Sequence, residues 1–273
     1  MNKGMHIKAI LLITTAVFLI TPLLSQQASV EETKRIMKTY PFSDPNPVAN
    51  IGTIYPYFRF DGYSITGTDQ RWKTVKLENP FVKLWVFPEI GGKLWGAVEK
   101  STEQEFIDFN KVVKFRNIAM RGPWTSGGVE LNFGIIGHSP ITSSPVDYLY
   151  RTNPDGSVSC IVGALDLPSR TRWHVDIRLP KDKAYIETRC FWYNPTALHQ
   201  PLYHWMTSAE NAGEDLRFYY PGTRYIGHGG ETHPWPIETN GKDVSVYGNN
   251  NFGSSKSYHI LGEYDEHFGG YWK

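Results

Sequence analysis

Residues 146–193 read VDYLYRTNPDGSVSCIVGALDLPSRTRWHVDIRLPKDKAYIETRCFWY, and this stretch decides the fold class. Within it, residues 173–179 alternate large apolar side chains (Trp, Val, Ile, Leu) with polar ones (His, Asp, Arg). A period of two is typical of a β-strand with one buried face and one polar face. These residues therefore predict a strand, and the flanking residues supply its neighbours.

Turns divide the same stretch into further strands. Asn153-Pro154-Asp155-Gly156 stands between the apolar runs 146–151 and 157–165, and Asp-Gly supplies the positive φ angles that a tight hairpin turn needs. The charged residues 181–183 then lead into a last apolar run at 184–193. Short turns between consecutive strands predict antiparallel pairing, in a three-stranded meander.

The rest of the chain is mostly strand-like as well. β-branched and aromatic residues are concentrated in four further runs, 54–65, 72–77, 81–87 and 93–98. Only residues 31–38 are predicted to form a short helix, within an N-terminal extension at 26–45. Because no repeat or composition break follows, we expect one antiparallel all-β domain at 46–273.

Charge and composition narrow the class of partner. The chain carries 28 Lys and Arg against 27 Asp and Glu, a formal net charge of +1. A nucleic-acid binder would need clustered basic residues, so no nucleic-acid partner is expected. Aromatic residues make up 14% of the chain, and so many large side chains favour a folded domain over disorder.

The first 25 residues are predicted to be a signal peptide. Lys3 and Lys8 precede an apolar run at 9–20, and small or polar residues follow at 25–28, which is the order of a secretory signal. The apolar run is too short to span a bilayer comfortably, so no integral membrane segment is expected after cleavage. We therefore predict an exported protein, periplasmic or extracellular.

The two cysteines, Cys160 and Cys190, lie in strand-like runs that we place one strand apart. Two cysteines in a chain of this size do not make a disulfide framework. We expect two small buried thiols.

Several short motifs resemble the galactose mutarotase-like (aldose epimerase) superfamily. Ile90-Gly91-Gly92-Lys93-Leu94-Trp95-Gly96-Ala97, followed by a charged turn at 100–102, resembles its early hairpin. The sequence is more similar to an uncharacterised bacterial branch of that superfamily, often found in front of tetratricopeptide repeats. The motifs that carry this closer resemblance are Arg121-Gly122-Pro123-Trp124, Gly127-Gly128-Val129-Glu130-Leu131-Asn132-Phe133, Gly137-His138, Ser144-Pro145-Val146-Asp147-Tyr148, Asn194-Pro195-Thr196, Pro201-Leu202-Tyr203-His204-Trp205 and Asn251-Phe252-Gly253-Ser254-Ser255-Lys256.

The resemblance implies a large antiparallel β-sandwich with a concave, carbohydrate-binding face. It also implies that a chain stopping at Lys273, within a predicted strand, lacks the last strands of that domain. A C-terminal repeat region in the full-length protein is the implied partner, beside a sugar or glycan. No cofactor is expected.

One short segment supports a sugar site independently of the resemblance. Trp124, Glu130, Asn132 and His138 fall within fifteen positions, and sugar sites combine aromatic platforms with carboxylates, amides and imidazoles. The period of two places Glu130 and Asn132 on the same side of a strand. We predict a catalytic role for Glu130 and substrate contacts from the other three. A polar solvent face on an edge strand is the alternative.

His204 is the second candidate catalytic residue. By the resemblance it is the general acid that protonates the ring oxygen as the sugar opens, and imidazole suits this role because its ordinary pKa lies near neutral pH. A histidine packed among Trp205 and Tyr203 with a satisfied hydrogen bond is the alternative. Trp205, Glu210 and Arg121 complete the predicted substrate-binding residues.

The functional class stays open at this point. The superfamily's general base is a Glu near the end of the domain, and we match no Glu to it. A sugar- or glycan-recognition domain is our first prediction, and an epimerase or glycan-cleaving enzyme using His204 and Glu130 is the alternative, with a protein-interaction scaffold third. No metal is expected, because His228-Gly229-Gly230-Glu231-Thr232-His233 matches no established zinc spacing.

Overall fold

The computed structural model describes residues 27–46, 48–49, 51–211, 213–220, 222–226, 231–249 and, for the backbone, 270–272. The predicted signal peptide lies outside the described residues, as do His228 and the motif at 251–256. Across the described ranges, no helix is both long and apolar enough to cross a membrane.

Strands dominate the described chain, which is all-β as predicted. In chain order they are β1 (Ser29–Tyr40), β2 (Thr68–Glu78), β3 (Val82–Phe87), β4 (Lys93–Glu99), β5 (Gln104–Ile107), β6 (Val113–Lys114), β7 (Arg116–Asn117), β8 (Pro123–Trp124), β9 (Val129–Asn132), β10 (Asp147–Thr152), β11 (Val158–Leu165), β12 (Arg172–Leu179), β13 (Glu187–Tyr193), β14 (Trp205–Ser208), β15 (Arg217–Tyr219), β16 (Arg224–Ile226), β17 (Thr232–Pro234) and β18 (Gly270–Trp272). Two short 3-10 helices are Pro140–Ser143 and Tyr247–Asn249.

Two sheets pack face to face as a β-sandwich. The larger has the order β14-β9-β4-β3-β2-β1-β6 with β5 beside β4, and the smaller has the order β10-β11-β12-β13. Alternate residues of both sheets fill the space between them, such as Leu77, Leu84 and Leu131 from the larger sheet and Val162 and Ile177 from the smaller. Burial of these side chains is the main stabilising term of the fold.

The opposite face of the larger sheet carries a second, aromatic cluster. It includes Trp72, Trp85, Phe87 and Trp95, and the rings of Phe87 and Trp95 stack with centroids 4.5 Å apart. Since successive strand residues point to opposite faces, these rings are separated from the sandwich core by the sheet itself. We call this the outer face, and the candidate site lies on it.

Residues 146–193 form the smaller sheet. Gly156 has φ +80° in the turn between β10 and β11, and Asn153 N–H donates to the Ser157 carbonyl at 2.8 Å. In β12 the side chains of Trp173, Val175 and Ile177 are buried, as the alternation predicts. The hairpin and the meander are confirmed, and the sheet has four strands.

The predicted helix at 31–38 is wrong, because these residues belong to β1. This strand pairs with β2 at eleven consecutive positions, from Ser29 with Glu78 to Thr39 with Thr68. A helix of eight residues is unstable on its own, whereas the strand gains a full ladder of hydrogen bonds. Residues 29–40 of the predicted N-terminal extension are therefore part of the larger sheet.

The predicted strand at 54–65 is also wrong. These residues form turns and loops that close back on the segment after β1, through Ser43 N–H to the Gly62 carbonyl at 2.7 Å and Asn46 N–H to the Tyr57 carbonyl at 2.6 Å. Pro56 lacks a donor for a sheet ladder. Aromatic content alone thus overstated the strand.

The two cysteines lie one strand apart, on β11 and β13, but only one is buried. Cys160 is buried and Cys190 is exposed. Cys190 pairs with Val175 and so points to the inner side of the sheet. Because β13 is an edge strand of that sheet, its inner side is less covered, and the prediction of a buried Cys190 is wrong.

Candidate functional site

The candidate site is built on the pairing of β9 with β14 at one edge of the larger sheet. Asn132 lies opposite Trp205, and Glu130 lies opposite Thr207. Leu131 points into the sandwich core, so its neighbours Glu130 and Asn132 both face outward. The sequence predicted this common side correctly.

Glu130 is a buried carboxylate, only 3% exposed. Its Oε2 accepts a hydrogen bond from the indole N–H of Trp124. Its Oε1 accepts the indole N–H of Trp205 at 2.9 Å and lies 3.2 Å from Nδ1 of His138. Three predicted site residues therefore converge on one carboxylate.

These contacts also set the charge of the carboxylate. Burial by itself raises the pKa of Glu130, but hydrogen bonds from His138, Trp205 and Trp124 and electrostatic attraction to His138 outweigh it, so the pKa lies below its ordinary value. Glu130 is therefore ionised at neutral pH. An ionised acceptor holds both indole groups and the imidazole in fixed orientations.

Lys93 is a site residue to which the sequence analysis assigned no role. Its side chain is 3% exposed on the outer face, and Nζ donates to the Thr125 carbonyl at 2.6 Å. Nζ also lies 5.8 Å from the centre of the Trp124 ring. Burial lowers the pKa of Lys93 to about 8, although the charges of Glu130 and Asp108 act in the opposite direction. The sequence did contain a sign of this position, because Lys93 is a charged residue in an otherwise apolar predicted strand.

A cleft of about 500 Å³ opens next to His138, and we call it the His138 cleft. The side chains that line it include Arg121, His138, Tyr203 and Trp205. The His138 ring makes edge contacts with two indoles. Its centroid lies 4.6 Å from the ring centroid of Trp205 and 6.1 Å from that of Trp124. A volume of this size is in the range of small-molecule sites.

The wall of the cleft is held in an unusual backbone conformation. His138 has φ +53°, a region that costs a non-glycine residue free energy and is concentrated at functional sites. The preceding Gly137 lies against the Trp205 ring, where a Cβ would clash. Arg121 Nη1 donates to the Gly137 carbonyl at 2.6 Å, which ties the two walls of the cleft together.

Asn132 is placed behind the cleft rather than in it. Its side chain is fully buried, its Nδ2 donates to the carbonyls of Tyr203 at 2.9 Å and Ile136 at 3.3 Å, and its Oδ1 accepts Ser139 N–H at 3.0 Å. Both the NH₂ group and the oxygen of the Asn132 amide are thus hydrogen-bonded to backbone groups. It positions the loop that carries His138.

His204 lies on the other side of the sheet from Glu130. Its imidazole stacks on Phe133 with centroids 4.2 Å apart, and Phe133 belongs to the sandwich core. Its Nδ1 contacts the Asn132 carbonyl at 2.9 Å. The structure therefore does not bring the two predicted catalytic residues into one pocket, because Glu130 faces outward and His204 faces inward.

Glu210 follows the end of β14 and is not among the residues that line the His138 cleft. Its neighbour Ala209 accepts a backbone hydrogen bond from Asp108 at 3.0 Å. Of the predicted residues, the structure brings together Trp124, Glu130, His138, Trp205 and Arg121. Tyr203, to which the sequence analysis assigned no role at the site, also lines the cleft, with its ring centroid 5.3 Å from that of Trp205.

Of the loop 228–233, which was considered as a metal site, the structure describes only residues 231–233. Nε2 of His233 lies 3.6 Å from a carboxylate oxygen of Glu231. Among the described residues, no three side chains of the metal-ligating types form a cluster.

Comparison with known proteins gives a family and a fold. A family model described as a domain of unknown function, DUF5107, matches residues 49–273. The chain is also similar to a solved TPR-domain containing protein from Parabacteroides distasonis ATCC 8503, with 23% sequence identity and a TM-score of 0.71. The match covers 80% of this chain and 38% of that one. At this identity the likeness shows a common fold, and the chain spans well under half the length of that protein.

Proposed function

The chain belongs to the DUF5107 family of domains of unknown function, and from that premise we propose that it is an exported carbohydrate-recognition domain that binds its sugar in the His138 cleft. The observation that carries the proposal is the make-up of this cleft: an indole and a phenol beside a guanidinium and an imidazole, in a volume of about 500 Å³. Sugars present apolar ring faces and hydroxyl edges, which match these groups.

The polar groups of the cleft are held in place before any ligand arrives. His138 and Trp205 are both anchored on the buried carboxylate of Glu130, and Arg121 is anchored on the Gly137 carbonyl. Side chains that are already fixed lose little conformational entropy on binding. This pre-organisation favours a specific ligand over non-specific contact.

The proposal of export rests on the sequence of the first 25 residues. The proposed macromolecular partner is a helical repeat region within the same longer protein. It is supported by the TPR-domain protein to which the chain is similar, in which the matched part is 38% of the length. We further propose that the domain is of galactose mutarotase-like type, as the motifs of the sequence imply.

The experiment that tests sugar recognition is a glycan-array screen followed by isothermal titration with the best glycan. Tyr203→Ala removes a 42%-exposed ring from the cleft wall, and we expect at least a tenfold loss of affinity, about 1.4 kcal/mol. Tyr193→Ala is the matched control, because this ring is 63% exposed on β13 and does not line the cleft. Equal affinity for the two variants, or no glycan bound by the wild type, would contradict the proposal.

A second candidate, an enzyme acting on sugars, is favoured by one contact. A buried carboxylate orients His138 through Nδ1 at 3.2 Å, and within the described residues the other ring nitrogen forms no hydrogen bond. A carboxylate-oriented imidazole in a cleft is an arrangement suited to general acid–base catalysis. In this proposal His138, rather than His204, transfers the proton.

NMR measurement of anomer interconversion and of glycan cleavage tests the second candidate. His138→Asn keeps a hydrogen-bonding group but removes the titratable one. For an enzyme we expect a loss of about two or more orders of magnitude in rate with glycan affinity kept within a few-fold. Wild-type protein that binds a glycan without turning it over would leave the recognition domain as the function.

A further inference from the structure

We propose that the ligand is a glycan chain rather than a free monosaccharide, and that it continues from the His138 cleft into a second cleft across a shared wall. This inference rests on the proposed function. The second cleft has a volume of about 470 Å³ and is lined by residues that include Phe58, Arg59, Phe60, Asp61 and Met120. Two clefts of similar size side by side form a longer binding surface than one sugar ring requires.

The two clefts are divided by a single turn. Ala119 and Arg121 line the His138 cleft, and Met120 between them lines the second cleft. Consecutive residues of one turn thus face both clefts. A glycan chain that spans both clefts would therefore pass over this turn.

The dividing turn is fixed from three directions. Arg121 N–H donates to the Ile118 carbonyl at 2.8 Å and closes the turn. Its guanidinium donates to the Gly137 carbonyl in the first cleft at 2.6 Å. On the other side, Gly122 packs so closely on Phe58 that an added Cβ would lie 2.8 Å from the ring. The spacing between the clefts is therefore built into the fold.

The backbone of the turn is strained at the same place. Ala119 has φ +47° and Met120 has φ +58°, so both central residues are left-handed, as in a type I′ turn. That turn favours Asn-Gly, because an L side chain is disfavoured at positive φ. Strained non-glycine residues of this kind are concentrated at functional sites, and here they lie between two clefts.

The chemistry of the second cleft suits a sugar. Phe60 is 66% exposed and offers a ring face for stacking. Beside it the guanidinium of Arg59 makes a two-point contact with Asp61, Nε to Oδ1 at 3.0 Å and Nη2 to Oδ2 at 2.9 Å. An exposed ring beside a paired guanidinium and carboxylate matches the face and the hydroxyl edge of a sugar unit.

The test is isothermal titration with chain-length series, from mono- to hexasaccharide, of cello-, chito-, xylo- and galacturono-oligosaccharides. For the series that binds, we expect affinity to rise at least tenfold between the monosaccharide and the tetrasaccharide. Phe60→Ala should remove this rise and leave the monosaccharide affinity unchanged. Phe81→Ala is the matched control, since Phe81 is 41% exposed and lines neither cleft; it should keep the rise.

The outcomes separate this inference from the function beneath it. A monosaccharide affinity that does not increase with chain length, or an increase that persists in both Phe60→Ala and Arg59→Ala, would overturn the second cleft and leave the His138 cleft standing. No binding of any series by the wild type would overturn the proposed function together with this inference. Because Phe60 and Arg59 are exposed, both variants are expected to fold.

Discussion

At the scale of single residues, two buried charges of opposite sign shape the site. Glu130 is ionised because three donors surround it, whereas Lys93 has one backbone carbonyl and one hydroxyl of Thr125 as acceptors. A buried ammonium with few partners costs stability. The charge of Glu130 offsets part of this cost, because it favours the protonated form of Lys93.

This cost is expected to depend on pH. The pKa of Lys93 is about 8 in the folded protein against its ordinary 10.5. Below pH 8 both states carry the proton and the cost is fully present. Between pH 8 and 10.5 the unfolded state keeps the proton and the folded state loses it, so the Lys93 contribution to the unfolding free energy rises by at most about 3 kcal/mol.

Lys93→Met removes the titrating group, and urea denaturation of both proteins from pH 7 to pH 10 measures the difference. We expect the wild-type unfolding free energy to increase with pH relative to that of the variant. Two curves that stay parallel across this range would show that the Lys93 pKa is not lowered by folding.

At the scale of elements, the turn over residues 118–121 combines strain with a position between two clefts. Met120→Gly relieves the left-handed conformation at this position, whereas Met120→Ala removes the same side chain but keeps the Cβ. We expect the glycine variant to be more stable than the alanine variant by up to about 1 kcal/mol, because L residues are disfavoured at positive φ.

Thermal unfolding of the two Met120 variants without ligand provides the measurement. Comparison between them, rather than with the wild type, separates the backbone effect from the loss of the side chain. An alanine variant as stable as the glycine variant would mean that the turn is not strained.

The edge position of β13 makes a second prediction at this scale. Cys160 is fully buried and burial raises the pKa of its thiol to about 12, whereas Cys190 is exposed. The Cys190 thiol is accessible but partly desolvated by its neighbours, which raises its pKa, so the assay is best run above pH 8. Ellman's reagent should titrate one thiol per native chain and two after denaturation. Two fast-reacting thiols in the native protein would contradict the buried position of Cys160.

At the scale of the whole molecule, β1 contributes side chains to the clusters on both faces of the larger sheet. Ala28, directly before β1, packs in the sandwich core, and Met37 packs in the outer aromatic cluster. The indole of Trp72 donates to Thr39 Oγ1 at 2.9 Å. This strand lies before the residues that match the family, 49–273, yet it completes the sheet.

Removal of residues 27–40 is therefore expected to lower the unfolding free energy by several kcal/mol, since it exposes the edge of β2 and opens both clusters. Near-ultraviolet circular dichroism during heating, compared with a chain that begins at residue 27, measures the loss of tertiary packing. A shortened chain with the same cooperative melt would show that β1 is dispensable.

Features of the fold that depend on residues close together in the chain could be predicted from the sequence. Alternation in β12 and the Asp-Gly turn before β11 are local signals, so the smaller sheet and the all-β class followed from them. Alternation along β9 also placed Glu130 and Asn132 on one face, and Trp124 and His138, close to Glu130 in sequence, contact its carboxylate.

Features that depend on contacts between residues far apart in the sequence could be seen only in the folded chain. Strand β1 forms because a partner about forty positions away pairs with it, which outweighs its local preference. Lys93 lies 5.8 Å from the Trp124 ring because the Thr125 carbonyl, 32 positions along the chain, accepts its hydrogen bond. His204 lies on the opposite face of the sheet from Glu130, where its ring stacks on Phe133. Sequence spacing alone did not reveal this face, because it depends on how β14 pairs and packs in the folded chain.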